Sequence, residues 1–338
     1  MAQLLGLLLL SFFLTSILLV PFIDLLYNIK MRRKDQVTTD AFNKRTPIFD
    51  RLHGYKKGVP IGAGALIIGV VTILVLWASG LLGVKVNSWE IFILLFAFVS
   101  FGLLGLIDDV KKTFGYKGGG IFGLRLRHKL IIQIILAFII SLIFYFKLGY
   151  DFINIHWFGI INIEWLFIPL ATFIIVAFTN AFNITDGLDG LSSGLLLICL
   201  TAFWVLAAQI IDRSLALFIA LWIGSLLAFL YFNVYPARVL LGDVGALSFG
   251  ATLAVVGLLT GKIIALAVIG GVFVAEVTSS LAQLLSKKYG TKKIFIVAPL
   301  HLWFQNKGWE EPKVVIRFWL VGILFALFGI WISIIQVS

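Results

Sequence analysis

Charge is what this 338-residue chain has least of: Asp, Glu, Lys and Arg make up 13% of it, against 61% hydrophobic residues and a mean hydropathy of +1.08. So little polar surface cannot cover a water-exposed globule, which excludes a soluble domain. Cysteine is almost missing as well. Cys199 is the only one and lies within an apolar run, which excludes intramolecular disulfides and cysteine-ligated metal and leaves it to core packing or lipid. Alternating strand patterns are absent, which excludes a membrane barrel. The chain has no internal repeat and no low-complexity tail, so residues 1–338 read as a single integral membrane domain.

What is there instead is a series of long apolar runs, each near the roughly 18 or more residues that a helix needs to cross a hydrocarbon core of about 30 Å. Ten such runs lie near 3–23, 60–82, 91–107, 130–146, 165–182, 191–211, 214–232, 244–260, 262–285 and 314–336. The fold class is therefore all-α: a polytopic membrane helix bundle of about ten transmembrane helices. Orientation follows from the basic residues, since loops rich in Lys and Arg stay cytoplasmic. With the N-terminus outside, the cytosolic connections hold nine basic residues (Lys30 to Lys57), six (Lys111 to Lys129), none, one (Arg238) and seven (Lys287 to Arg317). The external connections hold only Lys85, Lys147, Arg213 and Lys262. Both termini are thus expected outside. The first span has no Lys or Arg before it and Lys30, Arg32, Arg33 and Lys34 after it, the pattern of a retained helix and not of a cleaved signal.

A net charge of +11 raises nucleic acid as a partner, but no recognition module accompanies the charge. Anionic membrane lipids account for basic residues in short juxtamembrane loops equally well.

Polar residues at span ends carry the remaining information. Gly105-Leu-Ile-Asp108-Asp109-Val-Lys-Lys112 closes the third span with two adjacent carboxylates, which oppose the helix dipole at a C-terminal end. Neighbours on a helix point about 100° apart, so the two aspartates serve different roles rather than one symmetric chelate. Asn180-Ala-Phe-Asn183-Ile-Thr-Asp186-Gly187-Leu188-Asp189-Gly190 fills a connection that has no Lys or Arg. Its amides, carboxylates and exposed backbone N–H groups suit a sugar, a base edge or a hydrated Mg²⁺. In Asn233-Val-Tyr-Pro-Ala-Arg238-Val-Leu-Leu-Gly242-Asp243, the final aspartate starts a new span. There it either caps the helix or joins a divalent cation and a phosphate at the positive helix end. His301, in the last cytosolic loop, reads as an ordinary loop histidine or as a site residue. Glu276 sits mid-span, where a carboxylate is costly; it either serves the site or hydrogen-bonds a neighbouring helix, and Gly270-Gly271 suggests a bend close by.

These residues together resemble the bacterial phospho-N-acetylmuramoyl-pentapeptide transferases, within the polyprenyl-phosphate N-acetylhexosamine-1-phosphate transferase superfamily. The likeness runs through Gly58-Val-Pro60-Ile-Gly-Ala-Gly64, Asp108-Asp109, Asn180 to Gly190, Asn233 to Leu247, Pro299-Leu-His301, Gly308-Trp309-Glu310 and Arg317-Phe-Trp319. The resemblance implies transfer from UDP-N-acetylmuramoyl-pentapeptide to undecaprenyl phosphate, giving lipid I and UMP with Mg²⁺ as cofactor, by a protein that is a homodimer in the plasma membrane. It implies catalytic roles for Asp108, Asp109, Asp243 and His301 and metal ligation by Asp243 and Asp186. It also implies substrate contacts from Lys56, Lys112, Lys129, Asn180, Asn183, Asp186, Gly187, Leu188, Asp189, Asn233 and Gly242, with Gly187, Leu188, Asp189 and Asn233 in the uridine pocket.

The sequence departs from the family in two places. Where the family reads P-L-H-H-H-F-E, this chain has Pro299-Leu-His301-Leu302-Trp303-Phe304-Gln305, and where it reads G-x-P-T the chain has Gly58-Val-Pro60-Ile61. The lost histidines leave open a transferase for UDP-N-acetylglucosamine. A transporter would carry its polar residues near the midplane, where only Glu276 lies. A catalytically dead relative would have lost the aspartates, which are all present.

Overall fold

The computed structural model describes residues 2–33, 54–80, 86–114, 124–155, 159–289 and 294–335. Its helices are α1 (Ala2–Asn28), α2 (Gly64–Gly80), α3 (Ser88–Phe114), α4 (Leu126–Leu148), α5 (Phe167–Thr185), α6 (Leu191–Gln209), α7 (Arg213–Asn233), α8 (Gly242–Leu259), α9 (Ile263–Ile269), α10 (Gly271–Tyr289), α11 (Leu300–Asn306) and α12 (Glu311–Ile334). Among the described residues, eight helices are long and apolar enough to cross a membrane, and the pair α9–α10 makes a ninth. The remaining expected span, 60–82, is α2, an apolar helix of 17 residues. At 1.5 Å per residue it reaches roughly 26 Å. The glycine-rich stretch Gly115–Gly123 lies outside the described residues.

Two features depart from ten straight rods. The span expected at 262–285 breaks between Ile269 and Gly271, where α9 and α10 meet at 78°. Glycine at both positions of the break admits close neighbours: a Cβ on Gly270 would lie 2.6 Å from the Phe178 ring, and one on Gly271 would lie 2.9 Å from Phe325. Between α4 and α5 an antiparallel hairpin forms, β1 (Phe152–Ile155) with β2 (Gly159–Asn162), Ile153 opposite Ile161. Four residues per strand are too few to reveal alternation against a background this apolar.

Helix α8 is the hub. From Val244 to Leu259 every residue is buried, and α2, α3 and α5 pack around it. A helix apolar on all sides is what such a position requires. Its α3 side is built from aromatic rings: Phe98 meets Phe249, Trp222 and Phe218 at centroid distances of 5.6, 5.1 and 5.4 Å. Such pairs contribute about 0.5–1.5 kcal/mol each beyond area burial. At the other end of α8, glycine replaces bulk. A Cβ on Gly105 would overlap the Asp243 carbonyl, and one on Gly64 would overlap the Gly245 backbone. Small residues let helices approach where lipid offers no hydrophobic drive to pack them.

Helix α1 joins the bundle by polar contacts for the same reason. Ser11 Oγ lies 2.7 Å from both the Leu221 carbonyl and Ser225 Oγ, and Thr15 Oγ1 lies 2.8 Å from Ser225. The other face of α1, including Phe13 and Ile17, is exposed, as a lipid-facing surface should be.

Candidate active site

The chain alternates direction through the bundle, so the C-terminal ends of α3, α5 and α7 and the N-terminal ends of α4, α6, α8 and α12 gather at one end. A three-stranded weave of backbone closes that end. Ile61 N–H donates to the Met31 carbonyl, Arg33 N–H to Val59, Leu240 N–H to Pro60, and Gly62 and Ala63 N–H both to Leu240. The segment Gly58–Gly64 thus stitches the first loop to the entry of α8.

One side-chain cluster joins α3, α4 and α8. Lys112 Nζ lies 3.1 Å from Asp108 Oδ2 and 2.8 Å from Asp243 Oδ2; Lys129 Nζ lies 2.9 Å and 2.5 Å from the same two atoms. Asp108 is 2% exposed, and its second oxygen accepts the Leu124 N–H at 2.7 Å. Lys129 reaches the site because α4 starts at Leu126, four residues ahead of the expected run, so the lysine stands in its first turn.

Asp109 turns the other way, as the angular offset requires. Its Oδ2 accepts the Val244 N–H at 3.0 Å, so a carboxylate from α3 caps the N-terminus of α8. Asp243, in the first turn of α8, is thereby released from capping its own helix and points at the lysines. Gly242, at φ +79°, carries the chain past Asp109; a Cβ there would lie 2.6 Å from Asp109 Oδ2.

A second cluster surrounds the turn between α5 and α6. Lys56 Nζ contacts Asp189 Oδ1 at 2.6 Å, Glu311 Oε1 at 2.9 Å and the Gly187 carbonyl at 3.0 Å. Asp189 Oδ2 accepts the Ala237 N–H at 2.9 Å. Asn233 is likewise committed: its Oδ1 accepts from Gly190 N–H and Ser193 Oγ, and its Nδ2 donates to the Val239 carbonyl. The carboxylate of Asp189 and the amide of Asn233 therefore hold the walls of the turn, and Leu188 is buried beneath it. Asp186, half-buried at the end of α5, accepts from Ser192 Oγ. Burial pushes its carboxyl up to about 6; the Ser192 hydrogen bond and the Lys56 charge pull against the rise, and the Asp243 charge adds to it. Asp186 and Asp243 are thus within electrostatic reach of each other.

The last loop approaches the same turn. His301, 1% exposed, is gripped by Glu276: its backbone N–H donates to Oε1 at 3.1 Å, and its Nδ1 lies 2.8 Å from Oε2. Glu276 is the costly mid-run carboxylate, and its partner is a histidine 25 positions away. A Cβ on Gly187 would lie 2.5 Å from His301 Nε2, so glycine is what admits the ring. Leu302 is buried, while Trp303 carries the Lys307 ammonium 3.7 Å above its ring.

Of the residues singled out in the sequence, Asn180 stands apart. Its Nδ2 donates to Gln133 Oε1 and to the Val176 carbonyl, tying α5 to α4. Asn183 is half-buried, and its side chain makes no hydrogen bond among the described residues. Sequence reasoning missed Glu311. Its signal was the Asp189 connection itself: carboxylates near a membrane in a loop with no basic residue must draw a cation, and that cation a second anion, from elsewhere.

Among the described residues, no group of three or more His, Cys, Asp or Glu is arranged to hold a metal. Mg²⁺ needs no such cage, since it keeps several waters and binds through one or two carboxylates and substrate phosphates. Asp243 suits that donor set: the lysines engage only its Oδ2, and its side chain is 16% exposed.

The fold is that of a multi-pass membrane helix bundle with acidic and basic groups gathered at one end. Residues 91–261 match the family described as Glycosyl transferase family 4. The chain belongs to the phospho-N-acetylmuramoyl-pentapeptide-transferase family. It is 36% identical to the protein of that name from Bacillus pumilus (strain SAFR-032) over 95% of both chains. It is also 36% identical to that of Geobacillus sp. (strain WCH70) over 96% of both. To that of Borreliella afzelii (strain PKo) it is 34% identical, over 94% of this chain and 92% of the other.

Proposed function

We propose that this protein transfers phospho-N-acetylmuramoyl-pentapeptide from its UDP derivative to undecaprenyl phosphate, releasing UMP and forming lipid I. One observation carries the reading beyond family membership: Asp108 and Asp243, from different helices, converge on the same two ammonium groups. Such a cluster suits phosphoryl transfer, where the protein's task is positioning and charge stabilisation. An oxygen of the lipid phosphate attacks the β-phosphorus; the new P–O bond forms as the bond to UMP breaks, and UMP carries off the electron pair.

Lys112 and Lys129 hold phosphate oxygens, turning from the carboxylates to the more highly charged substrate. Asp108, fixed by the Leu124 N–H, supports the attacking lipid phosphate. Asp243 would hold Mg²⁺, with Asp186 as the second carboxylate nearby, and the ion supplies neutralisation of the pyrophosphate oxygens. Gly187 and Leu188 line the uridine side, backed by Asp189 and Asn233. The enzyme works as one integral domain and as a homodimer, its site facing the cytoplasm, where the basic loops lie.

Leu302 and Trp303, standing where the family has histidines, leave open a second reading, transfer of N-acetylglucosamine-1-phosphate. Purified protein with undecaprenyl phosphate decides between them. Mg²⁺-dependent UMP release from UDP-N-acetylmuramoyl-pentapeptide is expected; release only from UDP-N-acetylglucosamine would establish the second reading, and release from neither would overturn both.

A further inference from the structure

We propose that Glu311, in the first turn of α12, is a positioning residue for the nucleotide, acting through the Gly187–Gly190 turn; this rests on the uridine placement above. Glu311 is 6% exposed, and its Oε1 accepts two hydrogen bonds, from Asp189 N–H at 2.6 Å and from Lys56 Nζ at 2.9 Å. The first is to backbone, so it sets the path of the turn and not merely the direction of a side chain. Trp319, two helical turns further along α12, grips the next residue: its Nε1 donates to the Gly190 carbonyl at 3.2 Å, and its indole occupies the space a side chain on Gly194 would need. Helix α12 thus holds the turn at two successive residues, with Lys56 bracing the Gly187 carbonyl in front of them.

Reach, and not charge, is what Glu311 contributes. Lys56 has the Asp189 carboxylate at 2.6 Å beside that of Glu311, so its ammonium is held by a second anion as well. Glutamine keeps an acceptor oxygen at the same distance from the backbone. Aspartate keeps the charge but draws the oxygen back by one methylene, about 1.5 Å, beyond hydrogen-bond range of the Asp189 N–H. A buried N–H left without an acceptor shifts until it finds one, and the turn moves with it.

The experiment compares Glu311→Gln and Glu311→Asp with wild type in the full-length detergent-solubilised protein, varying each substrate in turn. Glu311→Gln should keep KM for the UDP-sugar within about three-fold of wild type. Glu311→Asp should raise that KM and the inhibition constant for UMP together, by roughly ten-fold, while KM for undecaprenyl phosphate stays unchanged. A merely structural role would lower the active fraction, and hence kcat, without this split. Glu311→Gln proving as damaging as Glu311→Asp, or KM rising equally for both substrates, would overturn the proposal. A wild-type protein inactive with UDP-N-acetylmuramoyl-pentapeptide would instead overturn the functional reading beneath it. If Glu311→Asp does not fold, Trp319→Phe, which removes only the indole N–H, should raise the UMP inhibition constant, and an unchanged constant refutes the clamp.

Discussion

Asp109 Oδ2 accepts the backbone N–H of Val244 at 3.0 Å, a capping bond that runs between helices 135 residues apart in sequence. The aspartate next to Asp108 therefore anchors the N-terminus of the hub helix, while Asp108 faces the lysines. Asparagine caps about as well as aspartate and alanine does not. Asp109→Ala should lower thermal stability in detergent by an amount on the order of 1 kcal/mol, and Asp109→Asn should retain most of it. Equal losses would mean that charge and not capping is what Asp109 supplies.

Asp243→Asn should leave a folded protein without Mg²⁺-dependent turnover. Because Asp109 does the capping, the first turn of α8 does not depend on the Asp243 carboxylate, yet an amide lacks the charge to hold a hydrated cation. UMP release across a Mg²⁺ titration measures it, and wild-type turnover would remove Asp243 from the site.

Folding stability should respond to pH through Asp186. Its carboxyl rises from 3.8 to about 6 in the folded chain, so between those values the folded state binds more protons than the unfolded one. Stability then falls as pH climbs from about 4 to about 6 and stays reduced above. Asparagine can still accept the Ser192 hydroxyl and carries no charge to desolvate. Asp186→Asn should therefore raise Tm at pH 7.5 and lose that advantage at pH 4.5; the same gain at both would refute the shift.

His301→Ala should reduce turnover roughly ten-fold or more, the scale of one hydrogen bond to a charged group. Leu302→His is a different case, because position 302 is buried at 2% exposure and an imidazole there costs about 1–3 kcal/mol. It should lower Tm, whereas Trp303→His, at a half-buried position beside Lys307, should change KM for the sugar nucleotide. Steady-state kinetics and melting curves of the three variants separate the effects.

Reporter fusions at Lys30–Lys57 should score cytoplasmic and fusions at both termini external, since the basic residues fall almost wholly on alternate connections. A cytoplasmic C-terminus would refute the even number of crossings that α2 and the bent pair α9–α10 complete.

Much of this was legible because lipid simplifies the code. A run such as 91–107 must be helical when no water is available to its backbone, and the residues that break the apolar pattern, Asp108, Asp186, Asp243 and Glu276, stand out by their cost. Their partners were not legible. Glu276 pairs with His301, Lys56 with Glu311 and Asp109 with Val244, each across a separation that no local period spans.

By itself, then, the sequence determined the class of the protein: the apolar runs and their number follow from transfer free energies that act residue by residue. Only the tertiary structure decided how the acidic residues divide their work. Asp108 and Asp109 are chemically identical neighbours, and one meets two lysines while the other caps a helix because a helix turns them about 100° apart against two different surfaces. Those surfaces, the lysines of α3 and α4 and the N-terminus of α8, meet only because Gly105 lets α3 and α8 touch.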